Sequence, residues 1–504
     1  MSRGRRGTWH RVRHRPAGTA ARRALAALLA VVLTAGIGAI GAVAGAQPPE
    51  GLQATVDDLA RTVDAPGAAI SVIGPGGTTQ TAVTGVDGRG AAVTADTPFV
   101  WGSVSKSTAA AVTGDLVRRG ALAWDTTVQE LVPGSAGLLG GQPVTVTDLV
   151  HHTSGLPHDV SRTDEWGRTA PATEVVGSLE RPGDATAPGP FQYASFNYLV
   201  LQAVVETVTE RPYAETLRSE VLDPADAGSA ITGPGEFDRR VPPGFVPFFG
   251  DARPIALRLD GAGLGYGYLA GSISDLGGHA RGLLTELTAR APATVRTDQG
   301  KEYGPGLYRE EFGDQVVWWH SGAVPGYYTF LGLVPGTGSA VVALVNRYGE
   351  LEADVLAQAG RGLLADVLDR PDPGWFPAGS RSTGYLVLGA LLTLVFGLVA
   401  AVTLAVLRLA GGPRARGLPG TCVRIGTSTV LGGGVLVAGL AGLPALVGIG
   451  LPVMWRWAPD AALLFWMVVA EIFLLTALVV AGDVLGYRAG RGAAPSTTTS
   501  EETT

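Results

Sequence analysis

Three apolar runs, near 384–407, 427–451 and 461–482, constrain this chain more than any other feature, because each can cross a bilayer as a helix. Arg408, Arg414, Arg416 and Arg424 lie between the first two runs, and Arg488 and Arg491 come after the third. With the chain before 384 on the outside, both basic clusters fall inside, as the positive-inside rule prefers. Composition agrees. Charged residues make up 16% of the chain, against roughly a quarter in soluble proteins.

The chain has 504 residues, too long for one ordinary domain. Residues 1–46 hold eight arginines and no acid, and their second half is apolar and rich in Ala and Gly, ending in Ala42-Val43-Ala44-Gly45-Ala46. This pattern reads as a signal peptide or signal anchor that directs export of the segment after Gln47. Gly36–Gly41 fits G-x-G-x-x-G, but no strand precedes it, so a nucleotide loop is not expected. With those eight arginines set aside, 30 basic residues face 44 acidic ones. An acidic body of this kind argues against nucleic acid as a partner. The lone cysteine, Cys422, excludes an intrachain disulfide and any multi-cysteine metal site. The close histidines 151, 152 and 158 lack a carboxylate partner, so neither a metal nor another cofactor is expected.

Residues 47–368 read as a mixed α and β globular domain. Leu52–Val63 is helix-like. Ala68–Ile73 and Thr79–Val83 form a strand pair around a Gly/Pro turn. An Ala-rich helix runs from 104 to 119 and stops at Gly120. Near the end, Val316–Trp319, Tyr327–Val334 and Ala340–Asn346 alternate with Gly-rich turns like an antiparallel meander. Strands at both ends with helices between predict one α+β unit: an antiparallel sheet built from both termini, with a helical insert packed on it. A Pro-rich linker (369–383), a membrane domain of three transmembrane helices (384–482) and a cytoplasmic tail (483–504) complete the expected layout.

Only two lysines, Lys106 and Lys301, stand against 36 arginines. A lysine can lose its proton near neutral pH when desolvated, whereas an arginine cannot. Lys106 closes the S-x-x-K run Ser103-Val104-Ser105-Lys106 at a strand-to-helix junction. Three residues are nearly one helical turn, so Ser103 and Lys106 share a face. A serine hydroxyl is a poor nucleophile until a neighbouring base takes its proton, and a buried lysine can be that base. No G-x-S-x-G elbow or H-E-x-x-H zinc helix competes with it.

The surroundings of this pair carry a resemblance. Thr97–Lys106, then Leu122-Ala123-Trp124-Asp125, then Val144–Pro157 with its His152-Thr153-Ser154-Gly155-Leu156-Pro157 run keep a characteristic order and spacing. Over about residues 50–350 the chain resembles the serine β-lactamase-related, penicillin-binding-protein-like hydrolases, which include class C β-lactamases, D,D-peptidases and esterases. The resemblance implies a β-lactamase/transpeptidase-like fold in which three motifs meet in one cleft. It makes Ser103 the nucleophile, Lys106 its proton acceptor and Tyr193 the partner base, a phenolate stabilised beside Lys106. Ser195 stands where the family more often has Asn, and Asn197 is either its substitute or a helix cap. The third motif, His320-Ser321-Gly322, would bind substrate together with Ser195. The backbone N–H groups of Ser103 and of a residue near Ala323 would form the oxyanion hole. His320 replaces a commoner lysine, which shifts the expectation from β-lactamase proper toward peptidase or esterase chemistry.

Together these features predict a multi-pass cell-membrane protein, with its catalytic domain outside the cytoplasm, acting on a small-molecule or peptide substrate. Cell-wall peptides are among the candidates, and the lipid bilayer is its other partner. A second reading is a weakly active or inactive surface sensor that keeps the fold.

Overall fold

The computed structural model describes residues 51–492, apart from 291, 370–381, 413, 415 and 448–449. The signal segment (1–46), most of the linker and the tail beyond 492 lie outside the described residues.

An eight-stranded antiparallel sheet is the frame of the globular domain before the linker. Its strands are β1 (Gly67–Ile73), β2 (Thr79–Gly85), β3 (Val295–Arg296), β4 (Glu302–Gly304), β5 (Leu307–Phe312), β6 (Gln315–Val324), β7 (Tyr327–Val334) and β8 (Ser339–Val345). The spatial order is β2-β1-β8-β7-β6-β5-β4-β3. The two ends of the domain therefore meet in the middle of the sheet, where β1 pairs antiparallel with β8, Ala68 opposite Val345. Every residue of β7 and β8 is buried. The cause is that helices cover both faces, which makes these strands continuous apolar runs rather than alternating ones.

One face packs on α1 (Leu52–Thr62) and on a later helix, Ala353–Val367. The other carries the insert, whose main helices are α2 (Ser105–Arg118), α3 (Ser195–Thr209) and α4 (Ile273–Ala289). With Ala353–Val367 as α5, the elements agree with the expected α+β arrangement. Among the elements the sequence reading did not delimit are the edge strands β3 to β5 and the helices α3 to α5.

Beyond the linker come α6 (Ser382–Ala410), α7 (Leu418–Val447), α8 (Leu451–Trp457) and α9 (Pro459–Gly492). Segments of three of them are long and apolar enough to cross a membrane: Gly384–Ala410, Leu418–Gly442 and Pro459–Arg491, with mean hydropathies of 2.7, 1.5 and 2.6. The second expected run needs correction. Its helix starts nine residues earlier, at Leu418 rather than 427, and 451 belongs to the separate helix α8, which carries Pro452 in its first turn. Proline has no N–H to continue a helix but suits the start of one. Arg424 thus lies inside α7 rather than in a loop. Its Nε donates to Asp483 of α9 at 3.1 Å, and Arg416 pairs with the same carboxylate.

Candidate active site

Ser103 sits in a tight turn, Gly102–Val104, that leads directly into α2. The turn is fixed from below by Trp101, fully buried, whose backbone N–H donates to Leu269 O at 2.8 Å and whose indole N–H donates to Gly271 O at 3.2 Å. Gly102 adopts φ +53, and a Cβ there would collide with the Ala323 nitrogen. A Cβ on Gly322 would likewise strike the Trp101 carbonyl oxygen and lie 2.9 Å from the Ser103 nitrogen. Two glycines, one on the turn and one on β6, thus let strand and nucleophile turn touch through their backbones.

Lys106 is fully buried. Its Nζ lies 3.1 Å from Ser103 Oγ, 3.3 Å from Ser195 Oγ and 2.9 Å from the carbonyl oxygen of Tyr266. Burial alone lowers it from 10.5 to about 7, and among the described residues it forms no ion pair that would hold the proton on. A neutral amine has two N–H groups and one lone pair. The Tyr266 carbonyl can only accept, and Ser195 Oγ takes the second N–H, so the lone pair faces the Ser103 hydroxyl.

Tyr193, half-buried, brings its ring centroid to 5.0 Å from Lys106 Nζ, and its hydroxyl pairs with the Ser103 side chain. Desolvation pushes the phenol well above its usual value, with no lowering from Lys106. The expected phenolate is therefore corrected: burial keeps the resting group a neutral phenol.

His320 on β6 is buried, and its Nδ1–H donates to Ser321 O at 2.6 Å. That assigns the proton to Nδ1 and leaves Nε2 as a bare acceptor, buried without a hydrogen-bond partner. Desolvation, then the nearby Lys106 charge, lowers His320 to about 3, so it is a neutral acceptor and not a cation. Gly322 shares its strand face. Ser321 does not. It pairs across the ladder with Phe330, which packs in the cluster on the opposite side of the sheet. The expectation that the Ser321 side chain contacts substrate is corrected on this ground, since alternate strand residues point to opposite faces.

Asn197 is neither a substitute for the family asparagine nor a cap. It is fully buried; its amide nitrogen lies 2.9 Å from His152 Nδ1, and its Oδ1 accepts from Ser154 Oγ at 2.5 Å. The Ala194 N–H also donates to His152 Nδ1, at 3.2 Å. The His152–Pro157 run is thereby clamped under the Tyr193–Ser195 segment, with the His152 ring 4.6 Å from that of Tyr193. Asn197→Ala should leave the Ser154 O–H without its acceptor and cost about 2 kcal/mol, the usual penalty for a buried polar group left unpaired. A lower melting temperature with slower turnover is the expected result, read by thermal unfolding in detergent.

Sequence reasoning missed the Tyr266 carbonyl, because a backbone acceptor has no residue signature. It also missed Asp164 and Trp457, which line the same cavity as Ser103 and Ser195, a space of about 60 Å³.

Residues 52–366 match the Beta-lactamase family. The chain belongs to that family. Among curated relatives, penicillin-binding protein 4 of Amycolatopsis lactamdurans is 27% identical over 321 residues, 58% of this chain and 84% of that protein. Two solved structures share the Beta-lactamase fold with it. The octameric penicillin-binding protein homologue from Pyrococcus abyssi aligns with a TM-score of 0.55 at 22% identity, over 63% of this chain and 77% of that one. A class C β-lactamase from Rhodobacter sphaeroides aligns with a TM-score of 0.52 at 20% identity, over 62% and 98%. Membership places the chain in a superfamily of serine hydrolases.

Proposed function

We propose that this protein is a membrane-anchored hydrolase that works through an acyl-enzyme on Ser103, with its catalytic domain outside the cytoplasm. One observation carries the reading: an uncharged-capable amine, Lys106, faces the Ser103 hydroxyl at 3.1 Å while its two N–H groups are engaged elsewhere.

Lys106 takes the Ser103 proton as Oγ attacks a carbonyl carbon. The resulting oxyanion is held by the backbone N–H groups of Ser103 and Ala323, which the Gly102–Gly322 contact brings to one place. Tyr193 gives its phenolic proton to the leaving group and recovers it from Lys106. Water then attacks the acyl-enzyme along the reverse proton route and frees Ser103. Ser195 steers Lys106 and lines the substrate cavity. His320 offers a lone pair, which suits a substrate N–H or O–H and repels a carboxylate. Amides and esters, including peptides of D-amino acids, fit this site better than substrates needing a cationic clamp, and β-lactams remain candidates through the penicillin-binding relative.

The orientation is supported by helix parity. The connection between the second and third spans carries α8, whose Trp457 indole N–H donates to Asp164 of the catalytic domain at 3.0 Å. That connection and the catalytic domain therefore share one side, and the arginines between the first two spans lie on the other.

Two measurements test the reading. A fluorophosphonate should leave its adduct on the peptide carrying Ser103, found by mass spectrometry, and Ser103→Ala should take no label; an adduct elsewhere would refute the assignment. Since the base must be uncharged, kcat/KM should fall as pH drops through about 7. Acylation without turnover would instead make the protein a sensor.

A further inference from the structure

The cavity beside Ser103 is walled in part by a segment from outside the catalytic domain. Of its lining, Ser103, Ser195, Thr163 and Tyr268 come from the catalytic domain, but Trp457 comes from α8, the helix joining the second and third spans. The contact is built, not incidental. Trp457 is buried, and its indole N–H donates to Asp164 Oδ2 at 3.0 Å. The other carboxylate oxygen accepts from the Trp166 indole at 3.1 Å, so Asp164 is held between two tryptophans. Next to it, Arg456 donates to Asp164 O at 3.2 Å and lies 4.2 Å from the Trp166 ring centroid. Tyr348 meets the Trp457 ring edge-on at 5.9 Å.

We infer that Trp457 is a specificity-determining residue, the wall of a small acyl pocket that the membrane domain lends to the active site. This rests on the acyl-transfer reading and names its substrate class. A space of about 60 Å³ admits an alanyl-sized group beside the reacting carbonyl and excludes a phenylalanyl-sized one. The ring is too well held to swing aside, because its indole N–H, its face and its helix are each engaged by the catalytic domain. The substrate is thus an ester or amide whose group on this side is no larger than methyl or ethyl.

The test uses the full chain in detergent. Rates of p-nitrophenyl ester hydrolysis are compared for an acetyl and a phenylacetyl substrate in wild type, Trp457→Ala, Trp457→Phe and Trp455→Ala, with Ser103 labelling tracked by two fluorophosphonates of matching sizes. Trp457→Ala should raise the large-to-small ratio of kcat/KM by about tenfold or more, since filling or emptying a hydrophobic pocket is worth that much. Trp457→Phe should shift it less. Trp455, exposed on the same helix, should leave the ratio alone. A large-to-small ratio in Trp457→Ala within twofold of wild type, with Ser103 still labelled in a folded protein, would overturn the pocket assignment. Absence of any label on wild-type Ser103 would overturn acyl transfer, and this inference with it. Should Trp457→Ala unfold, the ratio in Trp457→Phe and in Asp164→Ala, which removes the acceptor of the indole N–H, decides the matter by the same criterion.

Discussion

Lys106→Met is expected to slow turnover by about 10²–10⁴-fold, the usual worth of a positioned general base, and yet to stabilise the fold. Unfolded, a lysine titrates near 10.5; here burial lowers it to about 7. Between about 7 and 10.5 the unfolded chain binds a proton that the native state lacks, so stability rises with pH through that window. Below about 7 both states are charged and the whole penalty stands, about 4–5 kcal/mol for a displacement of this size. Methionine fills similar space without a charge. It leaves the Tyr266 carbonyl short of a donor, which costs about 1–3 kcal/mol. The net gain near neutral pH is therefore about 2 kcal/mol, and it falls with rising pH to a net loss of about 1–3 kcal/mol near 10.5, where only the unpaired carbonyl counts. Melting curves of the two proteins at pH 6, 8 and 10 check both the sign and the trend. A methionine variant that melts lower at pH 6 would show that the amine is solvated and is not the base. Stability given up at the site where chemistry is done is the expected signature of such a residue.

How far this was legible in the sequence depends on whether the signal was local. Strands near 68–73 and 340–346 announce themselves by apolar runs between Gly and Pro turns, and their union in one sheet is a consequence of the layer rule. Their register, Ala68 on Val345, is not, because it is set by packing between segments far apart in the chain. Ser103 and Lys106 were readable because one helical turn dictates their meeting. Tyr193 and His320 were readable only through the resemblance, since nothing in their own spacing joins them to residue 103. Ser321 was misjudged where simple alternation would have served: with 320 and 322 facing the nucleophile, 321 must face away. The phenolate was misjudged because the resting charge of Tyr193 depends on how dry the whole cleft is, which no motif records. The second apolar run was misjudged because hydropathy continues past 447 while Gly450 and Pro452 begin a new helix. That break sets α8 apart from α7 and lets it reach Asp164.

Gly322→Ala is expected to lower kcat by about 10²–10³-fold, the scale of losing an oxyanion donor, and to destabilise the fold by about 1–3 kcal/mol through overpacking. The added Cβ would meet the Trp101 carbonyl oxygen and the Ser103 nitrogen, both backbone atoms that no rotamer change can move. Either β6 or the nucleophile turn must retreat, and both supply an N–H to the proposed hole. Glycine is not needed there for its torsions, since its φ is not in the left-handed region; it is needed for closeness. Gly282, inside α4, gives the contrasting case. A Cβ there lies 4.0 Å from Ala225 Cβ, so alanine fits and should stabilise the helix by about 0.5–1 kcal/mol. Steady-state kinetics and melting temperatures of the two variants should therefore move in opposite senses of stability, with kcat lost only at 322. Equal kcat in both would mean that β6 and the Ser103 turn do not form the oxyanion hole together.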